Sequence, residues 1–328
     1  MMLMAGTFTI FRKELADQFV NKRFLMLFAV ILFLSTASAY QGANFIKGNP
    51  SNNFLSIFSE GINGSSFVSL MVMFGPLLAL SLSFDAINKE RKSGSLSTIL
   101  TQPIFRDSII NGKFLAGAVA LTVAILCTMS INIAISIPML GFGPTATQAM
   151  AIVVLALITI LYLCFWFAVG LLFSVVAKET STSILASVAV WITFSILIFI
   201  FASFITDVLV PLPTVNIPST FNATGGQGYF SMNLNPAITQ ARNYISNSIS
   251  LLSPGYLYSE IASMLTGGVG GTFTGFRISI ARFEGQTFSL TGALAGSWPQ
   301  IVTIAVGLAV CFVASYALFL RSEIRPKG

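Results

Sequence analysis

Six stretches of this chain, 24–40, 67–84, 114–138, 149–176, 184–205 and 301–320, contain no Asp, Glu, Lys or Arg. A helix needs about 20 apolar residues to cross roughly 30 Å of hydrocarbon, and irregular backbone cannot satisfy its polar groups there. The shortest run has 17 residues and can extend into its flanks. The longest has 28, about 42 Å as a helix, so it has to tilt. Composition agrees, since only 9% of the 328 residues are charged. A soluble domain carries roughly 25%, and the deficit leaves too little charge to coat a soluble surface of this size. The expected fold class is an all-α polytopic membrane protein with six transmembrane helices.

Six spans put both ends of the chain on one side. Arg12, Lys13, Lys22 and Arg23 precede the first span, and Lys89, Arg91, Lys92, Arg106 and Lys113 lie between the second and third. Lys178 lies between the fourth and fifth, and Arg321, Arg325 and Lys327 follow the sixth. These are 13 of the 17 basic residues; the opposite side has Lys47, Arg242, Arg277 and Arg282. Basic loops stay inside, so the expected location is the cell membrane, multi-pass, with N- and C-termini cytoplasmic. Ala37-Ser38-Ala39 has the small-residue form of a signal-peptidase site. The 23 residues before the apolar run include Glu14 and Asp17, where a signal peptide has a short basic leader. The triplet therefore reads as small residues ending a helix.

The expected organisation is a membrane domain over 1–206, holding an interfacial helix and helices 1–5. An external segment or small ectodomain follows over 207–298, then helix 6 and a cytoplasmic tail over 299–328. Gly141-Phe142-Gly143-Pro144 is a tight turn, and Ser253-Pro254 a helix start with Pro at the first position. Gly267-Gly268-Val269-Gly270-Gly271 is a flexible joint. Asn63 and Asn222 open glycosylation sequons on the external side. Cys127, Cys164 and Cys311 fall in apolar runs and read as buried thiols.

The absences narrow the function. There is no histidine, and no span has an Asp, Glu, Lys or Arg in its middle. Proton- or ion-coupled transport, a voltage sensor and intramembrane hydrolysis all want such residues. No catalytic, cofactor-binding or metal-binding residues are therefore assigned. A nucleotide-binding loop reads G-x-x-x-x-G-K-[ST]. The nearest approach is Asn111-Gly112-Lys113-Phe114, with Phe where the metal-holding hydroxyl belongs. Asn132, Thr193 and Ser195 are polar residues within spans, which helix packing explains.

Two segments on the basic side carry more information. In 8–23, Phe8, Phe11, Leu15 and Phe19 recur at helical spacing, with Arg12, Lys13, Glu14, Asp17 and Asn21 covering much of the rest. That pattern predicts a helix lying at the membrane surface and turning into span 1 near Asn21-Lys22-Arg23. The segment 85–113 begins as a charged continuation of span 2, and Ser93-Gly94 breaks it. Ser95 can cap a short helix over 96–101 that stops before Pro103, and Asp107 can cap the helix leading into span 3. Helix, break, short helix, break, helix makes a stiff knob.

At these residues the chain resembles the ABC-2 type ABC transporter permeases. Asp85-x4-Glu90-Arg91-Lys92-Ser93-Gly94-Ser95-Leu96, then Ile99-Leu100-Thr101-Gln102-Pro103-Ile104, Arg106 and Gly112-Lys113, is similar to the family's loop signature. Leu252-Ser253-Pro254-Gly255-Tyr256 before the last span also resembles the family, as does the six-span layout with its large external segment. The resemblance implies a permease subunit of an exporter, with no nucleotide site of its own. ATP and Mg would sit in a separate ABC-type ATP-binding subunit, and a second permease subunit would complete a homo- or heterodimer in the lipid bilayer. The resemblance implies no nucleic-acid partner. The short helix would dock on the ATPase through Gly94, Ser95, Leu96, Ile99 and Leu100, with Glu90, Arg91 and Lys92 making polar contacts beside it. The alternative is a non-transporting membrane scaffold or a channel subunit with a sensing ectodomain.

Overall fold

The computed structural model describes residues 2–48, 53–59, 66–92, 106–211, 236–267 and 289–321, and among them every regular element is helical. In chain order these are α1 (Met2–Val20), α2 (Lys22–Gly48), α3 (Ser56–Ser59), α4 (Phe67–Ser83), α5 (Asn88–Lys92) and α6 (Arg106–Leu140). Then come α7 (Ala146–Val176), α8 (Thr180–Ile192), a π-helical turn (Thr193–Leu197), α9 (Ile198–Leu209), α10 (Pro236–Ser250), α11 (Pro254–Thr266) and α12 (Leu290–Arg321). Six stretches are long and apolar enough to cross a membrane: Lys22–Gly48, Phe67–Arg91, Asp107–Leu140, Ala146–Val176, Thr180–Leu209 and Leu290–Arg321. Each contains one of the six apolar runs, so the protein is a multi-pass membrane protein. Ala37-Ser38-Ala39 lie inside α2, which continues to Gly48.

The second and fourth spans form the centre. In the most apolar window of α4, 83% of residues are buried, against 11% for α12. Close approach of α4 and α7 requires Gly170, where a Cβ would overlap the Ser83 hydroxyl. On α12 the outer stripe Val302, Val306, Val310 and Val313 is exposed, as a lipid-facing helix surface should be. Of the three cysteines only Cys164 is buried; Cys311 is partly covered and Cys127 is exposed. That corrects the reading of all three as buried: an apolar run in a membrane can face lipid, so hydrophobic sequence does not imply protein cover.

Local chemistry sets the joints. Asn21 separates α1 from α2; its carbonyl accepts from Leu25 N–H at 3.0 Å and its side-chain oxygen from Arg23 N–H at 3.0 Å. The turn between α6 and α7 uses Gly141 at φ +77°. Thr145 and Gln148 then form a capping box that starts α7. Asn132 Nδ2 donates to Ser35 Oγ at 2.6 Å, tying the third span to the first. The fifth span is not a uniform helix. Its π turn contains both Thr193 and Ser195, and the Thr193 hydroxyl donates to Ala189 O at 2.8 Å.

The region between the fifth and sixth spans is partly bound into the bundle. Arg242 on α10 donates to Val210 O and to the Asp207 carboxylate, closing the end of α9. Ser253 caps α11 by accepting from Tyr256 N–H at 3.3 Å, with Pro254 in the first turn. Eleven of the thirteen residues of α11 are buried, and it packs against α4, α7 and α12. Gly267, at φ +67°, ends it. The sequons at Asn63 and Asn222 and the joint beyond Gly267 lie outside the described residues.

Candidate functional site

The third span is longer than a membrane crossing needs. At 35 residues α6 is about 52 Å long, more than the hydrocarbon needs, and α1 lies across its extra turns. Gly112 permits that crossing: a Cβ there would stand 2.9 Å from Ile10 Cγ2 and 3.2 Å from the Thr7 carbonyl. The neighbouring Lys113 locks it. Its ammonium is 2.9 Å from Glu14 Oε1 and 2.9 Å from Glu90 Oε1, and its side chain is only 3% exposed. Lys13 lies 3.5 Å from both carboxylates, so two acids face two bases. Burial disfavours the Lys13 ammonium, but Glu14, Glu90 and Asp17 outweigh it and hold the group above the ordinary lysine range. Its contribution is full below the ordinary lysine value and is lost only as pH rises through the elevated one.

Glu90 is part of a wider knot. Residues 84–91, at the end of the second span, are tied to five other elements. The Ser183 hydroxyl of α8 donates to Phe84 O at 2.7 Å. Arg23 of α2 lies 3.3 Å from Asp85 Oδ2 and stands over the Phe84 ring. Ile87 N–H donates to Ser174 Oγ of α7 at 2.9 Å, and the Arg91 guanidinium reaches Val175 O, in the last turn of α7, at 3.5 Å. The base of the loop that follows therefore bears on α1, α2, α6, α7 and α8 together.

The sequence profile described as ABC-2 family transporter protein matches residues 8–324. The chain belongs to this family. It is also 32% identical over 150 residues to the probable ABC transporter permease protein NosY of Pseudomonas aeruginosa, covering 46% of this chain and 48% of that one. With the protein of the same description from Stutzerimonas stutzeri it shares 32% identity over 123 residues, 38% of this chain and 42% of the other. The chain thus spans just under half the length of the curated relatives it matches.

In this ABC-2 transporter protein the residues assigned to docking divide into two groups. Gly94, Ser95, Leu96, Ile99 and Leu100 lie outside the described residues, as does the side chain of Lys92. Glu90 and Arg91 are described, and both turn toward the protein: Glu90 is 8% exposed and bound to Lys113. Glu90 thus holds the base of the loop, whatever the loop itself contacts. The interfacial helix needs a similar adjustment. Ile10, Glu14 and Gln18 form its inward face, while Phe8 and Phe19 are exposed and Phe11 and Leu15 half-buried. The face that meets the rest of the protein is thus not the aromatic stripe but the one set by Gly112 and Lys113. The near-match to a phosphate loop does not fit a nucleotide, because Lys113 is committed to two carboxylates and Gly112 is covered by Ile10.

Proposed function

We propose that this chain is the permease half of an exporter, paired with a second permease subunit and driven by a separate ATP-binding subunit that docks on residues 85–113. ATP and Mg belong to that partner. The observation that carries the reading is the knot at 84–91: a push on the attached loop is delivered to five elements through hydrogen bonds and ion pairs. The family membership and the NosY-named permease relatives support it. In this reading the partner's closure shifts residues 84–91, and the second, fourth and fifth spans move with them.

The test is a pull-down of the ATP-binding subunit with wild-type, Gly94→Val and Leu96→Asp permeases, with stimulated ATP hydrolysis assayed in parallel. Leu96→Asp places a charge in an apolar contact and should weaken association by about 2 kcal/mol or more. Gly94→Val should misplace the short helix while leaving membrane insertion intact. Normal binding and normal stimulation in both variants would show that the partner docks elsewhere.

The proposed orientation has its own check. Cysteines placed at Ser93 and Ser322 should react with an impermeant maleimide only from the cytoplasmic face, and one at Gly225 only from the outside. Outside labelling of the Ser93 position reverses the topology.

A further inference from the structure

Beside the knot, two cavities adjoin at the elbow between α1 and α2. The first, about 470 Å3, lies between the first, second and fifth spans and is walled by Leu27, Leu77, Leu80, Phe84, Ile184 and Val188. The second, about 860 Å3, is bordered by Asp17, Lys22, Arg23, Asp85 and Lys89. Arg23 and Thr180 line both. Each volume is within the range of small-molecule sites, about 300–1,000 Å3. What distinguishes the pair is its order. Down the second span the lining changes from Leu77 and Leu80 to Phe84, Asp85 and Lys89. The apolar wall lies on α4 and the charged wall beyond its end, the order of acyl chain and headgroup at a membrane surface. Leu27, Arg23 and Lys22 repeat the same order on α2.

The charges select the occupant. Three bases face two acids, and Arg23 is paired with Asp85. Among the described residues neither Lys22 nor Lys89 makes an ion pair. A single negative charge balances the cavity, and it must come attached to hydrocarbon to fill the groove below. We propose that this elbow is a binding site for one anionic phospholipid of the leaflet on the α1 side. Its phosphate sits on Lys22 and Lys89, and one acyl chain lies in the groove between α2, α4 and α8. The lipid would fill the gap between the α1 elbow and the fifth span, and bear on Arg23, one of the ties to the knot. This site does not depend on the proposed transport function.

Native mass spectrometry of the full chain in detergent, incubated with phosphatidylglycerol or phosphatidylcholine, tests the site. One phosphatidylglycerol should be retained per chain in preference to phosphatidylcholine. The double variant Lys22→Glu and Lys89→Glu should lower that retention by about tenfold or more. Val188→Phe, which narrows the groove without touching the charges, should lower retention of the same lipid. Circular dichroism and a monodisperse elution profile confirm that each variant is folded; Lys22→Gln with Lys89→Gln replaces the reversal if it is not. Equal retention of the two lipids, or retention unchanged in the variants, overturns the proposal in favour of unspecific annular lipid. Disulfide cross-linking of Thr180→Cys between two chains in the membrane would overturn it too, by showing that a second copy covers the groove.

Discussion

Replacing Lys113 by methionine is expected to release α1 from α6 and to cost about 3–5 kcal/mol, the usual penalty for removing one partner of a buried ion pair. The lysine is enclosed, and two carboxylates approach it at 2.9 Å. Without it Glu14 and Glu90 face each other, and the more exposed Lys13 at 3.5 Å is their remaining counter-charge. Trypsin cleavage at Arg12 and Lys13 should accelerate in the detergent-solubilised protein, and the thermal midpoint should fall. The decisive control removes the whole cluster. Lys113→Met combined with Glu14→Gln and Glu90→Gln leaves no uncompensated buried charge, so it should recover most of the lost stability. If the triple variant is no more stable than the single one, α1 is held by packing at Gly112 and not by charge. If the triple variant is stable but no longer couples to its partner, the ion cluster transmits force beyond its contribution to stability.

How much of this was legible in the sequence depends on the distance between interacting residues. Spans are local, so six charge-free runs located six spans. Caps and turns are local as well: Asn21, Gly141 and Ser253 each act within a few residues, and each does what its residue type allows. The ion cluster is not local. Glu14, Glu90 and Lys113 belong to three separate segments of the sequence, and only the crossing of α1 over α6 makes them one group. In sequence Gly112-Lys113 only resembles a family feature; in the structure the pair meets a helix about a hundred residues earlier, Gly112 sterically and Lys113 electrostatically. The inward face of α1 is not legible in the sequence for a related reason. The aromatic periodicity marks the exposed side of the helix, whereas its inward side is chosen by residues of α6 far along the chain. The π turn in the fifth span has no sequence signal of its own beyond Thr193, whose hydroxyl supplements the backbone bonding there.

The placement of α11 gives the other large expected effect. This helix belongs to the stretch between the fifth and sixth spans, expected from sequence to form an external segment or small ectodomain, and it is wedged against the two central spans. Tyr258 is its anchor. The ring is fully buried and stacks on Tyr162 of α7, with centroids 4.7 Å apart and planes 11° apart. The Thr159 hydroxyl donates its only proton to Leu155 O at 2.7 Å, so in the 2.9 Å contact between the two hydroxyls Tyr258 is the donor. Tyr162 donates in turn to Val72 O at 3.2 Å, which joins α4, α7 and α11 in one aromatic wedge. Tyr258→Ala should cost about 3–5 kcal/mol, the range for emptying a buried aromatic site. Tyr258→Phe should cost only about 1 kcal/mol, because Thr159 keeps its own bond to the backbone. The readout is a cysteine at Ser263, a buried position on α11, in a background lacking Cys127, Cys164 and Cys311. It should resist maleimide in the parent and the Tyr258→Phe protein and react in the Tyr258→Ala protein. Reaction in all three would mean that α11 leaves the bundle readily and that the aromatic wedge does not retain it. Protection in all three would place its retention in the contacts of Leu257, Ile261 and Leu265 with the surrounding spans, which the alanine leaves intact.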